Sequence, residues 1–478
     1  MKRTALYFIF AIATLIASAS TEWTLQGKPY TVDTLNHINV GPSTTLTSLR
    51  LTGTQNLNVF YTTTDLTNPL IEMEVLKAKD IIYARQEVSG MALDHDSDSK
   101  QYFLGVNADF FNMRRGNSIG SQITDGELVY VDNSERTQWA IGDDRLPIMD
   151  CLHISCTAIA GDKVANISGV NKVATTNSLN IFTPRYGAST DTTKNTYEVA
   201  IVPVDAPISV GKKVKMKVTS APATGGNMAI PANGYILSGT GTDNSFVKSL
   251  SQGDIIEITT TISTSKGQNI APTEVVSGYP VILSNGKVTN PVDILRHLNG
   301  LHPRTAVGND KTGTKLVILI VDGRSNDSEG CTSKVLADIM SYAGCDDAMN
   351  LDGGGSSELY VRSLGICNVP SDGKERTVAN GLFAIAKAPV DNEIASIAFA
   401  EFRKTIDGKD TYTPVIYGYN KYGIIVDKDV KGVKLSCPRQ LGKIAQKGTT
   451  LQPTGNKGTH TLTARFGKLT ASMPIIVK

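Results

Sequence analysis

The chain has 478 residues, 40% of them apolar, and a formal net charge of +2, so it is long enough for two or three domains. A charge so close to zero argues against nucleic acid or an anionic membrane as the main binding partner. After the N-terminal leader, no stretch reaches the roughly 18 consecutive apolar residues that a membrane-spanning helix needs.

The first 19 residues have the pattern of a secretory signal peptide. Lys2 and Arg3 precede an apolar run from Ala5 to Ala19, which ends in small residues at 17–19. A basic start, a short apolar segment and a small-residue cleavage site are typical of such leaders. We therefore expect an exported protein, periplasmic or extracellular (cell-surface), with no transmembrane segment after cleavage.

The next part of the chain is predicted to be rich in β-strands. Apolar and polar residues alternate in 47–51, 57–61 and 71–75, which is the strand pattern. Asn107 and Asp109 then interrupt an otherwise apolar segment. Because a buried amide or carboxylate costs free energy unless it is paired, these two are candidate site residues.

Two further regions have the composition of β-structure. Residues from about 150 to 275 are rich in Gly, Thr, Ser and Asn, with alternation in 211–218, and predict a β-rich subdomain. Residues 389–478 contain short strand-like segments separated by turns at regular intervals, which predict a C-terminal β-sandwich. The C-terminal region shows no catalytic constellation.

A strand–helix–strand unit is predicted near the end of the first large domain. Residues 315–321 are continuously apolar, as in a strand buried on both faces. Thr332 as N-cap and Gly344 as the C-terminal stop bound a predicted helix, and a second strand follows at 348–351. Crossovers of this kind make the two strands parallel.

The residues that follow the two strands are the strongest candidates for a site. Asp322 and Arg324 come after the first strand, and Asp352 comes after the second. If the strands are parallel neighbours, these side chains emerge side by side at the edge where open α/β sheets bind ligands. The alternative is that Asp322 and Asp352 only cap their own turns.

Three consecutive glycines, Gly353, Gly354 and Gly355, follow Asp352 directly. Such a run lets backbone N–H groups converge on an anion, and the hydroxyls of Ser356 and Ser357 add donors beside it. The alternative is a flexible turn between strands.

Five segments, taken together and in this order, resemble the phosphodiester glycosidase family: 107–112, 304–308, 322–324, 350–357 and 376–380. The resemblance covers roughly residues 80–388 and implies a hydrolase that removes a sugar, N-acetylglucosamine in the family, from a phosphodiester. The C-terminal part resembles bacterial Ig-like domains.

The expected fold class is α+β, a mixed α/β architecture. We expect a signal peptide at 1–19, a phosphodiester glycosidase-like catalytic domain at 20–388 that contains the β-rich subdomain and the strand–helix–strand crossover, and an Ig-like β-sandwich at 389–478. The expected function is hydrolysis of the sugar–phosphate bond of a glycosyl-1-phosphodiester, with a phosphodiester-linked carbohydrate as the binding partner and no nucleic acid.

Hydrolysis at a sugar carbon needs carboxylates and groups that neutralise the phosphate. The carboxylate candidates are Asp109, Asp322 and Asp352. The candidates for binding substrate or phosphate are Asn107, Arg304, Arg324, Gly353, Gly354, Gly355, Ser356, Ser357, Arg376 and Asn380.

The chemistry leaves two alternatives open. One is a phosphodiesterase that breaks the P–O bond with a divalent metal held by the same aspartates. The other is a non-catalytic glycan-binding surface protein. The sequence itself requires no cofactor, and a divalent metal is possible.

Overall fold

The computed structural model describes residues 21–132, 136–193, 195–290 and 298–478, so the predicted signal peptide lies outside the described residues. The prediction of a mixed α+β fold is wrong, because 48% of the structure is strand and 8% is helix. Turn residues interrupt the chain so often that the longest described α-helix has 10 residues. No helix in these ranges is long and apolar enough to cross a membrane.

The first part of the described chain comprises β1 (Thr21–Leu25), β2 (Lys28–Gly41), β3 (Thr44–Thr52), β4 (Asn56–Asp65), β5 (Ile71–Lys77), α1 (Val88–His95), β6 (Gln101–Asn107), β7 (Gln122–Thr124), β8 (Glu127–Tyr130) and β9 (Thr137–Ile141). The second part comprises β10 (Ile148–Asp150), β11 (His153–Ala160), β12 (Lys163–Ile167), β13 (Gly169–Val170), β14 (Leu179–Phe182), β15 (Thr196–Pro203), β16 (Lys213–Val218), β17 (Ala223–Thr224), β18 (Tyr235–Thr240), α2 (Asn244–Lys248), β19 (Ile255–Ser263) and β20 (Asn269–Ile270).

The third part comprises β21 (Glu274–Gly278), β22 (Val281–Ser284), β23 (Lys287–Val288), β24 (Arg304–Asn309), β25 (Lys315–Val321), α3 (Ser333–Tyr342), β26 (Asp347–Asn350), β27 (Leu359–Val361), β28 (Gly365–Ile366) and β29 (Asn380–Ala386). The last part comprises β30 (Ser396–Phe399), β31 (Lys404–Ile406), β32 (Ile416–Tyr419), β33 (Ile425–Asp427), β34 (Lys434–Ser436), β35 (Gly442–Ala445), β36 (Thr450–Pro453), β37 (Gly458–Phe466) and β38 (Leu469–Val477).

Two sheets pack face to face and carry the site. One has nine strands in the order β1-β2-β3-β4-β25-β24-β26-β22-β23, and the other has five in the order β28-β27-β6-β29-β5. Ile318 and Ile320 of β25 share one buried core with Leu382 and Ala384 of β29. Because successive strand residues point to opposite faces, the intervening residues are left for the outer faces.

A helix covers each outer face. Leu336 of α3 packs in one core with Val317 and Leu319 of β25, while Met91 of α1 packs in another with Phe383 of β29. The order of layers is therefore helix, nine-stranded sheet, five-stranded sheet, helix. Strands buried on both faces explain the nearly continuous apolar runs in β25 and β29.

The strand–helix–strand prediction is partly right. Helix α3 forms where expected, and the Oγ1 of Thr332 accepts a hydrogen bond from the Val335 N–H at 3.3 Å. Strands β25 and β26 are not neighbours, however, because β24 lies between them and pairs antiparallel with both. The two strands still run in the same direction, so their carboxyl ends reach one edge together with Arg304, the first residue of β24.

The remaining strands form separate groups. Strands β11–β20 form a ten-stranded sheet with its own buried core, in the region predicted to be a β-rich subdomain. The strands from β30 onward form three small sheets around a further core. That the C-terminal group is an Ig-like domain stays a prediction.

Candidate active site

Asn107, the last residue of β6, lies where the edges of the nine-stranded and the five-stranded sheet meet. Its Nδ2 donates to the Asp352 carbonyl at 2.6 Å, and its Oδ1 accepts from the Thr305 hydroxyl at 3.0 Å and from the Glu358 N–H at 3.2 Å. These bonds tie the segment after β6 to β24 and to the glycine segment. Asn107 therefore fixes the position of its neighbours.

Asn380, the first residue of β29, holds the start of the next segment in the same way. Its Oδ1 accepts from the Asp109 N–H at 2.9 Å. Its Nδ2 donates to Ser118 Oγ and to Gln122 Oε1, each at 3.1 Å. The backbone that carries Asp109 is thus fixed by a buried amide whose own groups are occupied.

Asp109 is buried, with only 2% of its surface exposed, and its two carboxylate oxygens differ. Oδ2 accepts from the Gly120 N–H at 2.8 Å, whereas Oδ1 has no hydrogen-bond partner among the described residues. Burial raises the pKa of Asp109 to about 7, and the nearby Arg136 opposes that rise. The carboxyl group therefore changes its protonation near neutral pH.

Arg136 faces this carboxyl, with its Nη2 3.7 Å from Asp109 Oδ1. The guanidinium lies over the rings of Phe110 and Tyr279, at 5.1 and 5.8 Å from their centroids. Its Nε and Nη2 are buried and have no hydrogen-bond partner among the residues described. Buried charged donors without acceptors are costly, so this pair of orphaned groups marks a place for a ligand.

Sequence reasoning missed Arg136. It stands in a polar segment before Trp139 that has no periodicity and no recognisable motif. Its role depends on the distant Asp109, so only the fold brings it to the site.

Asp352 supplies the second carboxylate. Its Oδ1 accepts from the Gly353 N–H at 3.0 Å, and its backbone N–H donates to the Ala108 carbonyl at 2.8 Å. Burial raises the pKa of Asp352 to about 6, and the hydroxyl of Ser356 limits that rise by hydrogen bonding to the carboxylate. The charge of Asp352 also adds to the effect of burial in raising the pKa of Asp109, so the two carboxyls interact.

Two arginines lie against the glycine segment. A Cβ atom on Gly355 would lie 1.9 Å from Nη2 of Arg376, and one on Gly354, where φ is +65°, would lie 2.9 Å from Nη2 of Arg324. Arg376 also pairs with Asp372 at 2.6 Å. The glycines therefore make room for two guanidinium groups close to the backbone.

The glycine segment does not present its N–H groups as a free anion nest. The N–H of Gly353 is donated to Asp352, and that of Gly354 to the Pro303 carbonyl at 2.9 Å. Those of Ser356 and Ser357 are donated to carbonyls of the same segment, at 3.2 and 3.3 Å. Positive charge at this place comes from Arg324 and Arg376 instead.

The serine side chains are buried and lie on different sides. Nη1 of Arg376 donates to Ser356 Oγ at 3.4 Å, which places Ser356 between Asp352 and Arg376. The Thr305 hydroxyl donates to Ser357 Oγ at 3.1 Å, so Ser357 faces the sheet junction.

Asp322 is occupied by structural contacts. Its Oδ1 accepts from Asn368 Nδ2 at 3.0 Å, and both of its oxygens accept from the Val369 N–H. Burial raises the pKa of Asp322 to about 6. This carboxylate fastens the loop that carries Asn368 and Val369.

Arg304 likewise serves the backbone. Its guanidinium donates to the carbonyls of Cys331 at 2.9 Å and Gly300 at 2.8 Å, and to that of Leu298. The side chain is buried beneath the edge of the sheet, where it holds the loop that precedes β24.

A metal site is not apparent in the described ranges, where no three His, Cys, Asp or Glu side chains come together as a possible donor set.

Residues 209–385 match the sequence model of the phosphodiester glycosidase family. The similarity to that family therefore covers residues 209–385, less than half of the chain. The matched segment contains Asp352, Arg324 and Arg376, whereas Asp109 and Arg136 precede it.

Individual proteins are also similar to this chain. The SPbeta prophage-derived uncharacterized protein YomE of Bacillus subtilis is 34% identical over 175 residues, which is 32% of this chain and 27% of YomE. A hypothetical protein from Synechocystis aligns with a TM-score of 0.58 at 17% identity, over 72% of this chain and 62% of that one. A protein from Burkholderia pseudomallei described as exported aligns with a TM-score of 0.55 at 19% identity, over 70% of this chain and 74% of that one. The two structures share the fold, and the chain spans about a quarter of YomE.

Proposed function

We propose that this protein hydrolyses a glycosyl-1-phosphodiester at the sugar carbon. The observation that carries the proposal is the pair of interacting carboxyls, those of the buried Asp109 and the half-buried Asp352, beside arginine side chains. The family match supports this reaction class. N-acetylglucosamine in an α-linkage is the sugar that we propose, carried by surface or host glycans.

The two carboxyls differ in the way that acid–base chemistry at a sugar carbon needs. The pKa of Asp109 rises to about 7 and that of Asp352 to about 6. Groups whose pKa values are pushed apart take the acid and base roles, although an interacting pair titrates as a unit. We assign the acid role to Asp109, because it is the more deeply buried of the two and its Oδ1 has no hydrogen-bond partner among the described residues. Ionised Asp352 then stabilises the positive sugar centre and directs water.

The proposed hydrolysis needs water as its only co-reactant, and its bond changes balance as follows. Water adds its oxygen to the anomeric carbon, the bond between that carbon and the phosphate oxygen breaks, and its electron pair leaves with the phosphate. The proton on Asp109 is available to that oxygen, and the proton lost by water goes to Asp352. A phosphate monoester is a good leaving group, so neutralising its negative charge with cationic side chains matters more than protonating its oxygen.

Three arginines are placed to bind the phosphate. Arg376 and Arg324 lie over Gly355 and Gly354, and Arg136 has unoccupied buried donors beside Asp109. Guanidinium groups match phosphate oxygens in geometry. Of the three, Arg136 is the most shielded from water, and a charge is most effective where water is excluded.

The test is hydrolysis of α-N-acetylglucosaminyl-1-phosphodiesters in ¹⁸O water, with and without a chelator. We expect sugar release with the label in the sugar, because water attacks carbon. Label in the phosphate together with loss of activity in chelator would instead support a metal-dependent phosphodiesterase. Binding without release of either product would support a non-catalytic glycan-binding protein.

We also propose that the protein is exported, on the evidence of the leader at residues 1–19. Expression of the full chain in a bacterial host, followed by fractionation and N-terminal sequencing, tests this. A cleaved chain in the periplasm or medium is expected, and an uncleaved chain in the cytoplasm would contradict the proposal.

A further inference from the structure

A polar cleft of about 310 Å³ opens on the side of the loop that carries Asp109. Its polar lining comprises Tyr83, Asn112, Arg115, Asn117, Tyr130 and Lys172. The cleft is electrostatically connected to the candidate active site: burial chiefly raises the pKa of Tyr130, and the charges of Asp132 and Asp109 add to that effect. A volume of this size lies at the lower end of the range for small-molecule sites.

The wall of the cleft is held in place by hydrogen bonds within the loop and to Lys77. The Asn112 N–H donates to the Asn117 carbonyl at 2.9 Å, and the Gly116 N–H donates back to Asn112 at 2.7 Å. The buried Lys77 fastens the same loop from behind, donating to the carbonyls of Gly116 at 3.3 Å and Ala84 at 3.0 Å. A preformed wall lowers the ordering cost of binding.

The charge of the cleft is positive. Lys172 is neutralised by Asp132, at 2.8 Å. Arg115 is exposed, and it makes no ion pair with any carboxylate in the part of the chain that the structure describes. One cation therefore stays available among phenols and amides, the side chains that exchange hydrogen bonds with hydroxyl groups.

We propose that this cleft binds the sugar on the alcohol side of the phosphodiester, and that Arg115 favours a sugar bearing an acidic group. The inference rests on the proposed function, because it assigns the released sugar to the Asp109–Asp352 site. The loop 110–120 is shared by both places, with Asp109 bonded to Gly120 and Asn117 in the cleft. A substrate that crosses this loop would occupy both.

The test compares three α-N-acetylglucosaminyl-1-phosphodiesters whose alcohol is methanol, a hexose or a hexuronic acid. We expect kcat/KM to rise in that order. Arg115→Ala should reduce the preference for the hexuronic acid over the hexose about tenfold, the effect of one lost charged contact of about 1.4 kcal/mol. Arg114→Ala is the matched control, because Arg114 is also exposed and does not line the cleft.

The outcomes separate this inference from the proposed function. Equal kcat/KM for all three substrates, or equal effects of the two arginine variants, would contradict sugar binding in the cleft. The proposed hydrolysis would not be affected by either result. If no substrate is hydrolysed, calorimetry with the hexuronic acid diester decides the matter by itself. Tighter binding to the unchanged chain than to Arg115→Ala then supports the cleft, and equal binding overturns it.

Discussion

At the scale of single residues, the candidate active site depends on groups that the fold leaves partly unsatisfied. Asp109 Oδ1 and two nitrogens of Arg136 are buried without hydrogen-bond partners among the described residues. Most buried polar groups in proteins are paired. This oxygen and these nitrogens are therefore available to hydrogen-bond a ligand at the place where we propose that the phosphate binds.

Replacing Arg136 with Ala should lower kcat/KM by about 10²-fold or more, the usual cost of one lost electrostatic contact to the reacting group. It should also change the pH profile. Arg136 lowers the pKa of Asp109, so its removal raises that pKa and moves the alkaline limb of kcat/KM to higher pH. Arg136→Lys should return the limb towards its original position. An unmoved limb in Arg136→Ala would remove Asp109 from the role of acid.

Asp352→Asn should lower kcat by at least about 10²-fold, because the carboxylate that directs water and stabilises the sugar cation is lost. An amide is of the same size, and its oxygen still accepts from Gly353, so the melting temperature should hardly change. Rate and thermal unfolding are measured on the same preparation. Retained activity would exclude Asp352 from the reaction.

At the scale of elements, Asp322 shows why a motif alone does not settle a role. It follows a buried strand and precedes a glycine, as Asp352 does. Its partners Asn368 and Val369 lie far along the chain, so no local pattern indicates them. Arg304 is similar in one respect: the Cys331 carbonyl that it binds lies beyond β25 in the chain, although its other acceptors lie in the loop just before β24.

Asp322→Ala should therefore act on stability and not on chemistry. It removes the acceptor of the Val369 N–H and one of the two acceptors of the buried Asn368 amide, which still donates to the Ser357 carbonyl at 3.0 Å. We expect this to cost about 1 kcal/mol in the free energy of unfolding. Urea unfolding measures that loss, and kcat per folded molecule should stay within about twofold. A large fall in kcat with unchanged stability would return Asp322 to the catalytic set.

The glycine segment offers a second test at this scale. Gly355→Ala places a Cβ where the guanidinium of Arg376 now lies, so Arg376 must move. We expect KM for the phosphodiester to rise about tenfold or more, because a phosphate contact is displaced. Gly90→Ala in α1 is the control, since its added Cβ would meet only the side chain of Gln86, at 3.3 Å. Equal KM in both variants would contradict the role of Arg376.

Local features of the fold are readable in the sequence, and long-range pairing is not. Thr332 and the apolar spacing after it predict α3 correctly, because capping and periodicity are local. Strand β24 forms a hairpin with β25 and also pairs with β26 on its other side, and no local pattern indicates this second pairing. The predicted α+β class was wrong because the structure is 48% strand and only 8% helix. Arg136 was missed because its partner Asp109 lies on another segment.

At the scale of the whole molecule, burial of carboxyl groups between the packed layers links the site to stability. Burial raises the pKa of Asp109 to about 7, of Asp352 to about 6 and of Glu358 to about 8. Each group holds its proton more tightly in the folded state than in the unfolded state. By linkage, the free energy of unfolding then falls as pH rises through the interval between the two pKa values.

We therefore expect the free energy of unfolding to be larger at pH 5 than at pH 7.5, because each of these carboxyls contributes a loss of about 1.4 kcal/mol per pH unit between its unfolded and folded pKa values. His95, whose pKa is raised chiefly by its bond to Asp80, acts in the same direction. His37 and Lys77 oppose it, because burial lowers both pKa values, that of Lys77 to about 7. Lys77 contributes only above that pH, so its effect appears mainly on the alkaline side.

Urea unfolding at the two pH values measures the difference, and Asp109→Asn isolates one contributor. The amide has no proton to lose, so this variant should show a smaller fall in stability between pH 5 and pH 7.5 than the unchanged chain. Because Asp109 is also the proposed acid, its pKa from unfolding and the alkaline limb of kcat/KM should agree within about one pH unit. If the stability of Asp109→Asn fell between pH 5 and pH 7.5 by as much as that of the unchanged chain, Asp109 would not hold its proton in the folded protein and would lack the proton that the reaction requires.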